Sequence, residues 1–152
     1  MPGKNLFIHA LITLGIAGAV FLCYAHTLEA PFVFDDLHAI VDNEDIREVG
    51  NFLHPRSLVR QRPLADLSFA LNFAYGQLDV FGYHLVNLCI HILSACLVYF
   101  LALCIFWHLP GRTAGPHSKQ FWPILAAGFA AFFFALHPVQ TQAVTYIIQR
   151  YT

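Results

Sequence analysis

Long stretches without a carboxylate are the feature that most constrains how this chain can fold. Residues 6–25 contain no carboxylate and one strongly polar residue, His9, and residues 83–107 form a second run without a carboxylate. Because a helix rises about 1.5 Å per residue, about 20 residues cross a hydrocarbon core of about 30 Å. A third apolar run starts at Phe121 and covers only about 24 Å before His137-Pro138 interrupts it. The sequence therefore predicts three transmembrane helices, at 6–25, 83–107 and 121–148, the last with a His-Pro break.

The composition supports a membrane protein and excludes other classes. The 152 residues are 58% hydrophobic and only 11% charged, whereas soluble domains carry about 25% charged residues. A formal net charge of −1 leaves no basic patch to hold phosphates, which excludes nucleic acid as a partner. The four cysteines all fall inside the predicted helices, where thiols behave as small hydrophobic side chains. We expect an all-α integral membrane protein in contact with lipid, with no metal and no cofactor.

The basic residues of the short segments predict the orientation in the membrane. Lys4 precedes the first predicted helix, and Arg112 and Lys119 lie in the loop 108–120. Short cytoplasmic segments carry an excess of Lys and Arg, so this pattern places the N-terminus and that loop in the cytoplasm. The loop 26–82 is then periplasmic or lumenal. It also contains arginines, but the rule weakens for loops of this length; these are Arg47, Arg56, Arg60 and Arg62.

The outer loop 26–82 is too long to be a simple connection, and its pattern predicts two helices. Asn43 can cap a helix that begins at Glu44, with apolar residues on one face in a pattern that suits the membrane interface. These residues are Ile46, Val49 and Leu53. Pro63 opens a second helix that Gly76 ends. This second helix is apolar nearly all round, so we expect it to be buried on most sides.

Asp35 and Asp36 follow an aromatic segment about ten residues beyond the first predicted span. Two interpretations remain open at this point. The pair can belong to a solvated turn or a helix cap. It can also act as a general base, or bind a cation or a sugar, beside the lipid headgroups. Adjacent like charges raise the pKa of one partner, which suits acid–base chemistry.

Polar residues on the second predicted span also point to the outer side. His84, Asn87, His91 and Ser94 share one face of that helix. Polar side chains within a span face other helices or a wet cavity, so this face predicts hydrogen bonds between helices or the lining of a cavity. Pro138 bends or ends the third helix. We therefore expect His137 to reach the same outer surface as Asp35.

Three collinear motifs carry a family resemblance. They are FVFDDLHAIVDN, RPLADLSFALNFAYGQLDVFGYHLVNLCIHIL and ALHPVQTQAVTYIIQR. In order and spacing they resemble the N-terminal part of the GT-C membrane glycosyltransferases, closest to the transmembrane tetratricopeptide-repeat O-mannosyltransferases and their bacterial relatives. The resemblance covers nearly the whole chain and implies a partial GT-C module. Such an enzyme takes a sugar from a polyprenyl-phosphate carrier outside the cytoplasm and passes it to an acceptor hydroxyl.

The resemblance also implies roles for individual residues. Asp35 would be the catalytic base, and Asp36 its orienting or acceptor-binding partner. Arg62 would contact the donor phosphate, and three further residues would form the walls of the cavity: His84, Asn87 and His137. The family does not generally need a metal, and the lipid-linked sugar is a substrate rather than a cofactor. Gln142 stands where relatives often carry Glu, which would remove one acid from the outer site.

The predicted spans are fewer than a GT-C enzyme needs, and the sequence contains no tetratricopeptide repeat. We therefore expect this chain on its own to be incomplete or inactive as an enzyme. The alternative is a non-catalytic accessory subunit with three spans, packed against other membrane subunits in a larger complex. A fragment of a transporter or channel is a third interpretation, but its outer loop would not need paired acids.

Overall fold

The computed structural model describes residues 2–53, 61–108 and 116–151, and within this part of the chain all regular secondary structure is helical. The α-helices are α1 (Pro2–Tyr24), α2 (Gly50–Leu53), α3 (Pro63–Gly76), α4 (Val80–His108), α5 (Pro116–Leu136) and α6 (Thr141–Thr145). Short single-turn helices connect them, at Ala25–Thr27, Leu37–Val41, Asp45–Arg47, Pro138–Gln140 and Ile147–Tyr151.

Two helical segments are long and apolar enough to cross a membrane. They are Leu6–Thr27 and Val80–His108. A bent pair, Phe121–Leu136 with Pro138–Thr145, counts as a third candidate if it forms one span, and the bend follows the predicted break at His137. These segments support the predicted class, an all-α integral membrane protein. Its orientation in the membrane stays a prediction.

The described chain divides into two compact units. The first unit, which we call the span unit, contains residues 1–23 and 88–140. Its helices pack through small side chains: Ala95, Ala127, Ala131 and Ala135 are fully buried. Small residues allow helix backbones to approach closely where lipid surrounds the helices. A polar pair also joins α1 to α4 in this unit, because His9 Nδ1 lies 2.6 Å from the Tyr99 hydroxyl.

The second unit, which we call the loop unit, contains residues 24–87 and 141–152. Its core is a mixed aliphatic and aromatic cluster formed by Ile40, Ile46, Phe52, Phe69, Ala70, Tyr83 and Ile147. The rings of Phe69 and Tyr83 stack with centroids 6.4 Å apart. Phe32 contacts Tyr83 edge to face with centroids 5.4 Å apart. The loop unit therefore has a core of its own.

The prediction of one continuous helix from Glu44 is wrong. Asn43 Oδ1 does accept a hydrogen bond from the Asp45 N–H at 3.0 Å, but Glu44 is the N-cap residue of the single turn that forms, without a side-chain cap. The turn ends at Arg47 because Glu48 is extended, at φ −120° and ψ 109°. The break lets Ile46 and Phe52 enter the same core from two short elements. The predicted position of this segment in the membrane interface stays a prediction.

Helix α3 runs from Pro63 to Gly76, the two residues that the sequence predicts as its ends. The expectation that it is buried on most sides is wrong for the described structure. Phe69 and Ala70 are fully buried, but Leu64 is 81% exposed and Tyr75 is 92% exposed. The helix therefore packs one face against the loop unit and leaves an apolar face uncovered.

Candidate functional site

The two adjacent acids lie in a tight turn, residues 33–37, which we call the acidic turn. The Asp36 N–H donates to the Val33 carbonyl at 3.0 Å, and the Leu37 N–H donates to the Phe34 carbonyl at 3.2 Å. Phe34 has φ +49°, in the left-handed region that large L-residues rarely adopt. Backbone strain of this kind persists where the surrounding contacts over-determine the conformation.

Asp36 supplies the contacts that fix the acidic turn. Its carboxylate is buried, with 1% of the residue exposed. One oxygen, Oδ1, accepts a hydrogen bond from the Ile148 N–H at 2.8 Å, and Oδ2 accepts one from the Val33 N–H at 3.2 Å. Hydrogen bonds to a charged group are stronger than neutral ones. Asp36 therefore ties the turn to the C-terminal segment of the loop unit.

The environment of Asp36 favours its neutral form more than water does. Burial is the largest effect and raises the pKa of this carboxyl above its ordinary value. The N–H groups of Val33 and Ile148 oppose that rise, as does His84, while the neighbouring charge of Asp35 adds to it. Adjacency to Asp35 is therefore the smallest of these causes, although the sequence suggested it first.

Asp35 differs from its neighbour because it is exposed. Its N–H donates to the Tyr146 hydroxyl at 3.1 Å. The backbone of Asp35 is thus held at two points. Tyr146 accepts a hydrogen bond from the Asp35 N–H, and the buried carboxylate of Asp36 holds the next residue. The carboxylate itself stays accessible. A fixed backbone with an accessible carboxylate is what a general base requires.

His84 and Asn87 are two further polar residues of the loop unit. His84 Nε2 lies 3.0 Å from the Ala30 carbonyl. Asn87 Nδ2 donates to the carbonyls of Tyr146 and Ile147, each at 3.3 Å. Both side chains are buried, so their geometry corresponds to the hydrogen-bonding alternative rather than to an open cavity wall. His91 also bonds to a carbonyl, that of Ala135 at 3.0 Å, in the span unit.

Arg150 is the centre of a polar network that the sequence interpretation missed. Its guanidinium donates four hydrogen bonds, to Asn87 Oδ1, Ser68 Oγ, Asn72 Oδ1 and the Tyr83 carbonyl, at 2.8–2.9 Å. It also lies 4.5 Å from the centroid of the Phe69 ring. Burial lowers the pKa of Arg150 to about 10, against the attraction of two tyrosines. The cation therefore remains charged at neutral pH and holds the segment next to Ile148.

Arg62 lies in another part of the loop unit, beside Tyr151. Its guanidinium carbon is 5.3 Å from the centroid of the Tyr151 ring. The Tyr151 hydroxyl donates in turn to Asp66 Oδ1. These three residues and Gln61 line a cavity of about 360 Å³. The structure therefore gives Arg62 a cavity to face.

His137 belongs to the span unit. Its Nδ1 accepts a hydrogen bond from the Val139 N–H at 3.2 Å, and its ring lies 5.1 Å from that of Phe133, centroid to centroid. It lines an apolar cavity of about 280 Å³ together with Phe129, Phe132, Phe133 and Leu136. Its expected position on the same surface as Asp35 stays a prediction.

The described ranges contain no group of three His, Cys, Asp or Glu residues placed to hold a metal ion. The four cysteines are free thiols. The arrangement around the acidic turn is therefore one of hydrogen-bonded backbone, one buried carboxyl and one exposed carboxylate. An exposed carboxylate such as that of Asp35 can accept a proton.

These observations define a class of protein: a helical membrane protein with an exposed acid held in a tight turn. Known proteins give it a family context. The chain is 35% identical to the Drosophila melanogaster protein O-mannosyl-transferase Tmtc3 over 98% of its length, and 35% identical to Tmtc1 of the same organism over 90%. It is 33% identical to human protein O-mannosyl-transferase TMTC3 over 89%. The resemblance is confirmed: the chain is homologous to a region of the TMTC O-mannosyl-transferases.

The matched region is a small part of those relatives. It spans 18%, 16% and 14% of the length of the three proteins. No family model matches the chain, and no solved structure matches it. The similarity to bacterial relatives stays a prediction.

Proposed function

We propose that this chain is the part of a membrane glycosyltransferase that carries the catalytic base, and that Asp35 is this base. The single observation that carries the proposal is the exposure of Asp35 beside a fully anchored Asp36. The kinship with proteins named protein O-mannosyl-transferases supports it. From these names we propose that the reaction is the transfer of mannose to a hydroxyl group of a protein.

The proposed reaction needs one base and one leaving group. The Asp35 carboxylate accepts the proton of the acceptor hydroxyl, and the hydroxyl oxygen forms a bond to the anomeric carbon of the sugar. The bond from that carbon to the carrier phosphate breaks, and the phosphate leaves with the electron pair. We propose a polyprenyl-phosphate carrier and an acceptor on the outer side of the membrane. The base then has to act near headgroup level, where the carrier keeps its phosphate.

Asp36 acts as the orienting partner in this proposal. Both of its oxygens already accept backbone N–H groups, from Val33 and Ile148. Because Asp36 is also buried, its carboxylate is not accessible to an acceptor. Its role is to hold the backbone of Asp35 in place. His84 and Asn87 hold the neighbouring backbone, at Ala30 and at Tyr146 and Ile147.

Arg62 is the proposed contact for the donor phosphate. A guanidinium is suited to this role because its planar donors match phosphate oxygens. The cavity beside Arg62 and Tyr151 supports the assignment. His137 is the remaining candidate for a cavity wall, and nothing beyond its sequence position and its own apolar cavity supports that role.

The test of this proposal is the transfer activity of Asp35→Asn in membranes that contain the protein in its complete natural form. Substrates are a mannosyl-phosphoryl-polyprenol and a peptide rich in Ser and Thr. We expect kcat to fall by about 10²–10⁴-fold, the usual contribution of a general base, with an unchanged protein level.

Asp42→Asn is the matched control. Asp42 is an exposed acid of the same loop, where it lies 3.2 Å from His38. Its loss should leave transfer unchanged. Activity retained by Asp35→Asn would refute the assignment of the base. Absence of transfer in the wild-type protein, together with stable association with other membrane subunits, would favour the accessory-subunit alternative.

A further inference from the structure

Phe34 is an apolar side chain in a position that the packing of the chain does not explain. It is 81% exposed, although it directly precedes the candidate base. Val33 and Leu37, in the same turn, are also exposed hydrophobic residues. We call these three residues the apolar rim of the acidic turn. Contiguous exposed apolar residues of this kind mark a surface that contacts a protein or a membrane.

The backbone conformation of Phe34 makes its exposure more informative. A φ of +49° is costly for a large L-residue, and Gly or Asn would adopt it more readily. Because the ring is exposed, its described contacts do not offset the free-energy cost of this backbone conformation. The conformation directs an aromatic side chain outward at the tip of the turn. This combination indicates that the ring meets an apolar environment outside the loop unit.

The position of the turn along the chain identifies that environment. Phe34 follows the end of the candidate span Leu6–Thr27 by seven residues. The segment before it is also attached to the beginning of the other candidate span, Val80–His108. His84 contacts the Ala30 carbonyl, and Phe32 packs against Tyr83. The segment that leads into the acidic turn is therefore attached to the first turns of a candidate membrane span.

We propose that the apolar rim, with Phe34 at its centre, inserts between the lipid headgroups and the upper acyl chains. An aromatic ring at this depth gains burial while the adjacent Asp35 stays in the polar layer. The ring then fixes the height of the acidic turn relative to the membrane surface. This contact stands independently of the proposed function. If Asp35 is the base, the contact also sets the depth at which the base works.

The test is photocrosslinking in vesicles of phosphatidylcholine, with the complete protein carrying a benzophenone side chain at one position. The variant Phe34→p-benzoylphenylalanine is irradiated, and its adducts are identified by mass spectrometry. We expect a lipid adduct as the main product. Leu37→p-benzoylphenylalanine provides a second position on the apolar rim and should also give a lipid adduct, at lower yield because Leu37 is less exposed.

Two positions of the loop unit serve as controls. His38 is exposed and polar, so the same label there should face water and yield several-fold less lipid adduct. Phe52 is buried in the core, and a label there should react within the protein. An adduct between position 34 and another protein segment would refute the proposal and show that protein covers the rim. Lipid yields at position 34 no higher than at position 38 would refute it as well.

The readout keeps this inference separate from the proposed function. Crosslinking requires no transfer activity, so a lipid adduct at position 34 supports the apolar rim even if Asp35→Asn keeps its transfer activity and the assignment of the base fails. Loss of transfer in Asp35→Asn without a lipid adduct at position 34 gives the opposite result. Each proposal can therefore fail alone.

Discussion

The span unit and the loop unit hold themselves together by different means. In the span unit, Ala127, Ala131 and Ala135 are fully buried and bring helices close together. In the loop unit, a single cation joins α3, α4 and the C-terminal segment through four hydrogen bonds. The span unit relies on many contacts between small side chains, and each contact contributes little to its stability. The loop unit adds to its apolar core a few polar contacts, each of which contributes a large share of the stabilisation.

This difference follows from what surrounds each unit. Lipid tails are as apolar as leucine, so a span gains little from burying large hydrophobic side chains and gains more from close packing of small ones. The loop unit has to fold a long irregular segment, whose backbone groups need partners. Polar side chains provide those partners at Asp36, Asn87 and Arg150. Single substitutions should therefore affect the loop unit more strongly than the span unit.

Replacement of Arg150 should produce the largest effect. Arg150→Met removes the cation and leaves four acceptors without their donor. Each unsatisfied buried polar group costs about 1–3 kcal/mol, and we expect a total loss of about 3–5 kcal/mol because some of these groups can rebind water. Hydrogen–deuterium exchange should rise in α3 and in residues 147–151 but not in residues 88–108.

Arg47→Met is the control for this prediction. Arg47 is an exposed arginine of the same unit, with one hydrogen bond to the Val41 carbonyl and a contact with the Phe73 ring. Its loss should change stability by less than about 1 kcal/mol. Equal effects at the two positions, or increased exchange across both units, would contradict the distinction between them.

Replacement of Asp36 should produce the second-largest loss of stability, and this loss should depend on pH. Asp36→Asn keeps the size of the side chain but can accept only one of the two N–H groups, so we expect a loss of about 1–3 kcal/mol. The pKa of Asp36 is raised above 3.8 in the folded protein. The folded state therefore binds more protons than the unfolded state between 3.8 and the folded pKa. The stabilisation due to this proton uptake is complete below 3.8 and is lost as pH rises through the folded pKa.

The measurement is the unfolding midpoint in detergent from pH 4 upward, for the wild type and Asp36→Asn. The advantage of the wild type should shrink as pH rises through the folded pKa and then stay constant. Asp35→Asn serves as the comparison, because it removes a neighbour that raises the pKa of Asp36 only slightly. An advantage that grows with pH would mean that the pKa of Asp36 is lowered rather than raised.

Local chemistry made part of this fold predictable. The start of α3 follows from Pro63, which suits the first helical position. Gly76 is the last residue of the helix as predicted, although Gln77 takes the positive φ, 54°, that ends it. The two long apolar runs correspond to helical segments long enough to span a membrane. The break at His137-Pro138 follows from the missing N–H and fixed φ of proline. All of these depend on residues close together in the sequence.

The rest depends on partners far apart in the sequence. Arg150 bonds to residues 63–82 positions away, which no local pattern reveals. A weaker signal was present, since Ser68 and Asn72 lie four residues apart on one face of a mostly apolar helix. Polar residues at that spacing require a partner. The split at Glu48 was missed for a similar reason, because it serves to bury Ile46 and Phe52 in a core that distant residues form.

The smallest expected effect is that of replacing one tyrosine in each unit. The two tyrosines form a matched pair, so their substitutions compare the units directly. Tyr99 and Tyr83 are both fully buried, and each hydroxyl makes one hydrogen bond, to His9 at 2.6 Å and to the Gln77 carbonyl at 2.9 Å. Hydrogen bonds between membrane helices contribute about 0.6 kcal/mol on average, whereas a typical one elsewhere contributes about 1 kcal/mol. Tyr99→Phe should therefore cost less than Tyr83→Phe, with increased exchange confined to the unit that contains the substitution. A larger cost for Tyr99→Phe would show that the span unit also depends on one polar contact, and the contrast between small-residue packing and polar anchoring would no longer hold.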